Sequence, residues 1–195
     1  MGKIKYINDI RDFFKKNIIV DINSLKRFIQ KERRGEKYVH QIVHNMIEKR
    51  EIKRITSGYY SIYDDPIISV FCFKPSYIGL QSALSIHDLW EQETIPVILT
   101  TRKIRQGVRD VAGSNIILHR ISSRYFFGIE YKKEGDIHIP VSDLEKTFID
   151  MLYFKQKIGS DLLKEFKKRM DKEKLKKYAK RYHKVMFSRT MGALE

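Results

Sequence analysis

Two short strings hold the residue types from which chemistry is built. The first is Val141-Ser-Asp-Leu-Glu-Lys146, which sets Asp143, Glu145 and Lys146 within four positions, with Asp136 just upstream. Carboxylates and a lysine converging on one hydrated cation are what a metal-dependent nuclease requires. The same residue types also begin a helix. Ser142 with Glu145 three positions later forms a capping box, and Asp143 is itself a good N-cap. Helix initiation accounts for the whole string, so no metal ligand, cofactor or catalytic residue is assigned, and a nuclease stands only as a third reading. The second string, Ile158-Gly-Ser-Asp161, has the Gly-Ser start of a nucleotidyltransferase. That chemistry needs a pair of carboxylates on a following strand to hold Mg²⁺, whereas helical, basic residues follow here. His87, His119, His138 and His183 lack an i,i+4 partner of metal-ligand type, and no Gly-rich phosphate loop is present. Cys72 is the single cysteine, which excludes an internal disulfide and a cysteine zinc cluster; its setting, Val70-Phe-Cys-Phe73, is that of a buried thiol.

The polar residues of the N-terminal third suit a different task, contact with nucleic acid. Gln41 can pair with an adenine edge and Lys37 with a guanine, while His40 and His44 can bond bases or phosphates. Arg33, Arg34, Lys53 and Arg54 can neutralise phosphates, fixing register without reading sequence. Tyr38, Thr56 and Ser57 complete the surface. The charge supports the same partner. The 195 residues carry a net charge of +15, and the excess is uneven. Residues 1–64 hold 15 Lys/Arg against 8 Asp/Glu, residues 65–154 hold 10 against 11, and residues 155–195 hold 14 against 5. Two basic ends flanking a neutral middle point to localised polyanion contacts. No apolar run approaches the ~20 residues that cross a bilayer, and no signal-peptide core opens the chain, so no membrane partner and a cytoplasmic location are expected.

The elements that must position these side chains follow from periodicity. Ile4, Ile7, Ile10, Phe13 and Phe14 form one stripe, predicting a first helix. Asp21 or Asn23 can cap a second helix carrying Leu25, Phe28 and Ile29. Past Gly35 comes a third helix with Val39, Ile42, Val43, Met46 and Ile47 on its apolar face; Lys37, His40, Gln41 and His44 fall opposite. A basic hairpin follows: Ile52–Ile55, a turn at Thr56-Ser57-Gly58, then Tyr59–Tyr63. Asp64-Asp-Pro66 marks a boundary. Beyond it the pattern predicts a strand over Ile67–Phe73, a helix over Tyr77–Leu89, strands over Ile95–Thr101, Asn115–Ile121, Tyr125–Tyr131 and Asp136–Pro140, and a helix over Ser142–Phe154. Two lysine-rich helices, from Ser160 to about Met170 and from Glu173 to about Met186, close the chain.

A family resemblance emerges from Pro75-Ser-Tyr-Ile-Gly-Leu-Gln-Ser-Ala-Leu84 followed by His87-Asp-Leu89. The chain resembles the AbiEi antitoxins of type IV (abortive infection) toxin–antitoxin systems, whose second domain opens with Tyr-Ile-Ser-x-x-Ser-Ala-Leu-x-x-His-Gly-Leu. Tyr77, Ile78, Ser82, Ala83, Leu84, His87 and Leu89 match; Gly79 and Asp88 replace the usual Ser and Gly. Thr100-Thr101 and Phe127-Gly128 fit the pattern as well. Ser142-Asp-Leu-Glu-Lys-Thr-Phe-Ile-Asp150 is similar to the family's Ala-Asp-Pro-Glu-Lys-Ala-x-x-Asp helix start at Asp143, Glu145, Lys146 and Asp150, departing at Leu144 and Thr147. The resemblance implies a repressor of its own operon that also counters a cognate nucleotidyltransferase-like toxin, generally without a stable complex.

The expected fold is therefore α+β: an N-terminal winged helix-turn-helix over residues 1–65, then a mixed α/β C-terminal domain over residues 66–195 ending in basic helices. The expected partner is double-stranded operator DNA, including an inverted repeat bound by two copies as a homodimer. The alternative is an adaptor whose winged helix binds protein.

Overall fold

A computed structural model describes residues 2–30, 36–91 and 95–193. It has an α+β fold that divides into two compact units, residues 1–72 with 110–114, and residues 73–109 with 115–195.

In the first unit the order is α1 (Gly2–Lys15), β1 (Val20–Asp21), α2 (Ile22–Gln30), α3 (Glu36–Glu48), β2 (Lys53–Thr56) and β3 (Tyr59–Ser61). The stripes seen in the sequence meet as a core. Ile10, Phe14, Leu25, Ile29, Val39, Ile42, Val43 and Met46 are buried together, and the Phe13 and Phe28 rings stack at 4.6 Å. Asp21 caps α2 by accepting from the Asn23 and Ser24 N–H groups at 3.1 and 3.0 Å. Gly58, at φ 78, turns β2 into β3, and β3 pairs antiparallel with both β2 and β1. Arg11 of α1 grips Glu51 through two hydrogen bonds of 2.7 Å, tying α1 to the turn after α3.

Residues 66–73 depart from expectation. They form a 3-10 helix, Pro66–Phe73, where a strand over Ile67–Phe73 was expected; Ile68, Val70 and Cys72 are buried. Pro66 pre-sets φ at the first helical position, and Asp65 caps it, its side chain accepting from the Ile67 N–H at 2.8 Å.

The second unit holds a six-stranded mixed sheet in the order β6-β7-β5-β4-β9-β8, except at residues 110–114, the β6–β7 turn, which group with the first. Its elements are β4 (Ser76–Ile78), α4 (Leu80–Ile86), β5 (Val97–Thr100), β6 (Gly107–Val111), β7 (Ser114–Arg120), β8 (Ile129–Glu134), β9 (Ile137–Ser142), α5 (Leu144–Tyr153), α6 (Ser160–Arg169), α7 (Lys172–Ala179) and α8 (Lys184–Gly192). Tyr77 and Ile78 lie in β4, not in the expected helix, because β4 is bonded on both sides, antiparallel to β5 and parallel to β9. A strand from Tyr125 is cut short by a 3-10 turn, Ser123–Tyr125, and by Gly128 at φ 65. The last expected helix is two, α7 and α8. The break turns Tyr182 inward, where its ring stacks on Tyr125 at 4.1 Å. Helices α6 and α7 bury Phe166, Met170, Leu175 and Ala179 in the same core as Phe148 of α5 and Tyr77 of β4. Among the described residues no helix is long and apolar enough to cross a membrane.

Candidate functional site

Two clusters of polar side chains stand out, one in each unit. In the first unit, α3 buries Val39, Ile42, Val43 and Met46 and leaves His40, Gln41, His44 and Asn45 exposed. Ile47, placed by the sequence on the apolar stripe, is only half-buried. Gln41 Nε2 donates to Asn45 Oδ1 at 3.0 Å, so two side-chain amides one helical turn apart are held as a pair. Tyr38 is half-buried and, with Ile7, Arg11, Gln41 and Asn45, lines a groove of about 440 Å³ between α1 and α3. On the hairpin, Arg54 and Ser57 are exposed and Thr56 is half-buried. Lys53, expected to meet phosphate, is ion-paired with Asp64. Arg33 and Arg34 lie outside the described residues, as does the side chain of Lys37, whose backbone belongs to α3.

The second cluster surrounds the start of α5. Asp143 is the N-cap, accepting from the Lys146 N–H at 2.8 Å. The capping box expected from Ser142 and Glu145 does not form. The Ser142 hydroxyl meets Thr147 Oγ1 at 2.8 Å, and Glu145 faces α7. One turn on, Lys146 and Asp150, i,i+4 on α5, form a salt bridge with neither side chain exposed. Tyr77 donates its hydroxyl to Asp150 Oδ2 at 2.8 Å, and Lys146 Nζ donates to the Tyr182 hydroxyl at 3.1 Å. The ammonium lies 5.5, 5.3 and 5.8 Å from the ring centroids of Tyr77, Phe127 and Tyr182. It thus sits among three electron-rich faces and one carboxylate. Burial pushes the Lys146 ammonium down and the Asp150 carboxyl up, each toward its neutral form and against the attraction of the other. Burial, together with Asp150, raises the Tyr77 hydroxyl well above its ordinary value.

Helix α7 covers this cluster with polar groups of its own. Lys174 Nζ stands 3.1 Å from Asp143 Oδ2 and 2.8 Å from Glu145 Oε2. Tyr178 donates to Asp143 Oδ2 at 2.9 Å, and the Asp171 N–H donates to Glu145 Oε1 at 2.8 Å. Burial and its bond to Asp143 push the Tyr178 hydroxyl up to about 12. Burial would lower Lys174, but the bonds to Glu145 and Asp143 outweigh it and raise the ammonium well above the ordinary lysine range. Gly128 is packed into the same place. A Cβ there would lie 2.8 Å from the Tyr178 ring and 2.9 Å from Cβ of Lys146.

Of the residues singled out by the resemblance, Tyr77, Asp143, Glu145, Lys146 and Asp150 meet in this one network. Ser82 and His87 do not. Ser82 bridges α4 to β5, its oxygen accepting from the Val97 N–H at 2.9 Å. His87 Nε2 donates to the Ser142 carbonyl at 2.7 Å, fastening the end of α4 to β9. Sequence reasoning missed Lys174, and it missed the polar roles of Tyr178 and Tyr182; Lys174 and Tyr178 stand four apart on one side of α7, while Tyr182 enters from the turn after it. Asp136, the outlying nuclease candidate, is exposed in the turn between β8 and β9. Among the described residues no three His, Cys, Asp or Glu side chains are grouped to hold a metal ion. Every buried side-chain nitrogen and oxygen among them has a partner. The arrangement is a network whose buried polar atoms are all partnered.

No family model matches the chain, and no curated protein matches it. Among solved structures, the crystal structure of the RV2827C protein from Mycobacterium tuberculosis is similar, with a TM-score of 0.64 at 10% identity over 97% of this chain and 74% of that one. At that identity the likeness bears on the fold alone.

Proposed function

We propose that the protein is a sequence-specific DNA-binding repressor whose first unit is a winged helix-turn-helix. Helix α3 enters the major groove and the β2–β3 hairpin lies along the flanking backbone. The reading is carried by the outward row of His40, Gln41, His44 and Asn45 on a helix whose other face is core, followed at once by a basic hairpin. The element order of the unit, three helices with a short strand between the first two and then a hairpin, supports it. The second unit is the antitoxin domain of an AbiEi-like protein, countering a nucleotidyltransferase-like toxin. Supporting this part is the convergence of two motifs matched in the sequence, Tyr77 from one and Asp143, Glu145, Lys146 and Asp150 from the other, on a single network.

Fluorescence anisotropy against the chain's own upstream DNA tests the first part. Gln41→Ala is expected to weaken operator binding by about 1–3 kcal/mol and relax specificity. Equal loss on operator and scrambled DNA would remove Gln41 as a base reader. One observation favours a second reading, an adaptor that binds protein: the groove between α1 and α3 combines Ile7 and Tyr38 with the same Gln41. That reading expects no DNA retained at physiological salt.

A further inference from the structure

Helix α7 presents two faces of opposite character. At 3.6 residues per turn, Lys174, Leu175, Tyr178 and Ala179 share one arc, Tyr182 continues it in the turn that follows the helix, and all are buried or half-buried. Lys172, Lys176, Lys177, Lys180 and Arg181 fall on the opposite arc with a single acid, Glu173, and all six are exposed. Pairing follows the same division. The one inward lysine, Lys174, is held by two carboxylates. Among the described residues Lys172, Lys176, Lys177 and Lys180 make no ion pair. Arg181 lays its guanidinium on the Phe127 ring at 3.9 Å. Concentrating like charge in this way costs self-repulsion, and nothing within the unit uses it.

The chemistry of the arc selects the partner. No aromatic or apolar side chain stands on it, since Tyr178 and Tyr182 are turned into the core. Protein interfaces are depleted in lysine and anchored by aromatic residues and arginine. Single strands are bound on aromatic stacking platforms. A membrane-surface helix needs a free apolar face, and that of α7 is consumed by α5 and α8. Unanchored lysines at a spacing of four are suited to a duplex phosphate backbone, where each contact releases counterions without reading sequence. We propose that the outer face of α7 is a sequence-independent contact for duplex DNA, additional to α3 and the hairpin. The choice of DNA over duplex RNA rests on the reading of the first unit as a DNA reader; the phosphate contact does not.

The test uses the full chain with Lys172, Lys176 and Lys180 all changed to Gln, and separately Glu173→Gln. These positions are exposed, and circular dichroism checks that the helices persist. Binding to a scrambled DNA duplex, the same duplex as RNA, and polyglutamate is followed from about 0.05 to 0.2 M salt. The triple variant is expected to lower the log–log salt slope on DNA by about 2–3 and to weaken low-salt binding at least ~10-fold, while Glu173→Gln tightens it. The ratio of operator to scrambled binding should stay unchanged, because phosphates carry no sequence. An unaltered slope and affinity in the triple variant overturn the proposal whatever the operator ratio does. Loss of operator preference in Gln41→Ala is read independently and judges the first unit. Tighter binding of the wild-type chain to duplex RNA, or to polyglutamate, overturns the choice of partner.

Discussion

Lys146 has no exposed surface, and its charge is balanced by one carboxylate, Asp150, itself completely buried. A buried ion pair is costly to assemble and far costlier to halve, because removing one partner strands the other charge in a medium of low dielectric. Lys146→Met is therefore expected to destabilise the second unit by about 3–5 kcal/mol, while the double variant Lys146→Met, Asp150→Leu recovers most of that loss. Denaturant unfolding of both variants measures it. A double variant as unstable as the single one would mean that the tyrosines, not Asp150, carry the energetics. Gly128 makes the same point through sterics. It sits at φ 65, a conformation that costs little only for glycine, and an added Cβ would meet both the Tyr178 ring and the Lys146 Cβ at under 3 Å. Gly128→Ala should cost roughly 2 kcal/mol or more, with near-ultraviolet circular dichroism reporting loosened tyrosines before helix content falls. Unchanged thermal stability would show that the loop yields freely.

At the scale of elements, each unit closes with polar locks whose response to acid can be worked out. Burial pushes Asp21 up, but bonds from the Ser24 hydroxyl and the Ser24 and Asn23 N–H groups prevail and hold the carboxyl that caps α2 below its ordinary range. Arg11 lowers Glu51. A carboxyl depressed in the folded state contributes stability that is complete above its unfolded pKa and fades as pH falls through the folded one. The first unit should thus hold from neutral pH down to about the ordinary carboxylate range, ~4, and lose helix below it. Glu51→Gln removes the charged pair and should flatten that acid limb, as helix content against pH would show; an identical limb in the variant would exclude the Arg11–Glu51 lock as a contributor. The elements differ in how legible they were. The three N-terminal helices and the hairpin could be read because each carries a one-sided apolar stripe and a turn residue such as Gly58. The strand β4 was hidden, since Ser76–Ile78 is three residues long and its neighbours are distant in sequence, Ile78 pairing with Ile98 of β5 and Val141 of β9. The same distance concealed the role of α7: Asp143 and Lys174 are ordinary helix residues until folding brings them to 3.1 Å. Asp88 stands at φ 56, a left-handed turn that the sequence pattern did not show.

At the scale of the whole molecule, the proposed activities fall on different units. The core of the first unit is assembled from residues between Ile10 and Tyr60, and that of the second from residues beyond Tyr77. Variants without shared partners act nearly independently, so DNA reading and toxin rescue should be separable in one chain. Gln41 is exposed on α3 and contributes nothing to either core; Gln41→Ala should abolish repression of an operator-driven reporter and leave growth rescue against a co-expressed nucleotidyltransferase-like toxin intact. Lys146→Met should do the reverse, losing rescue as the α5–α7 network opens while repression persists. Both phenotypes can be read in the same cells, at matched protein levels by immunoblot. If Gln41→Ala loses rescue together with repression, neutralisation works through transcription alone, and the second unit has no antitoxin activity of its own. If Lys146→Met loses repression at full abundance, the two units are energetically coupled and the DNA-binding surface depends on the folded state of the second.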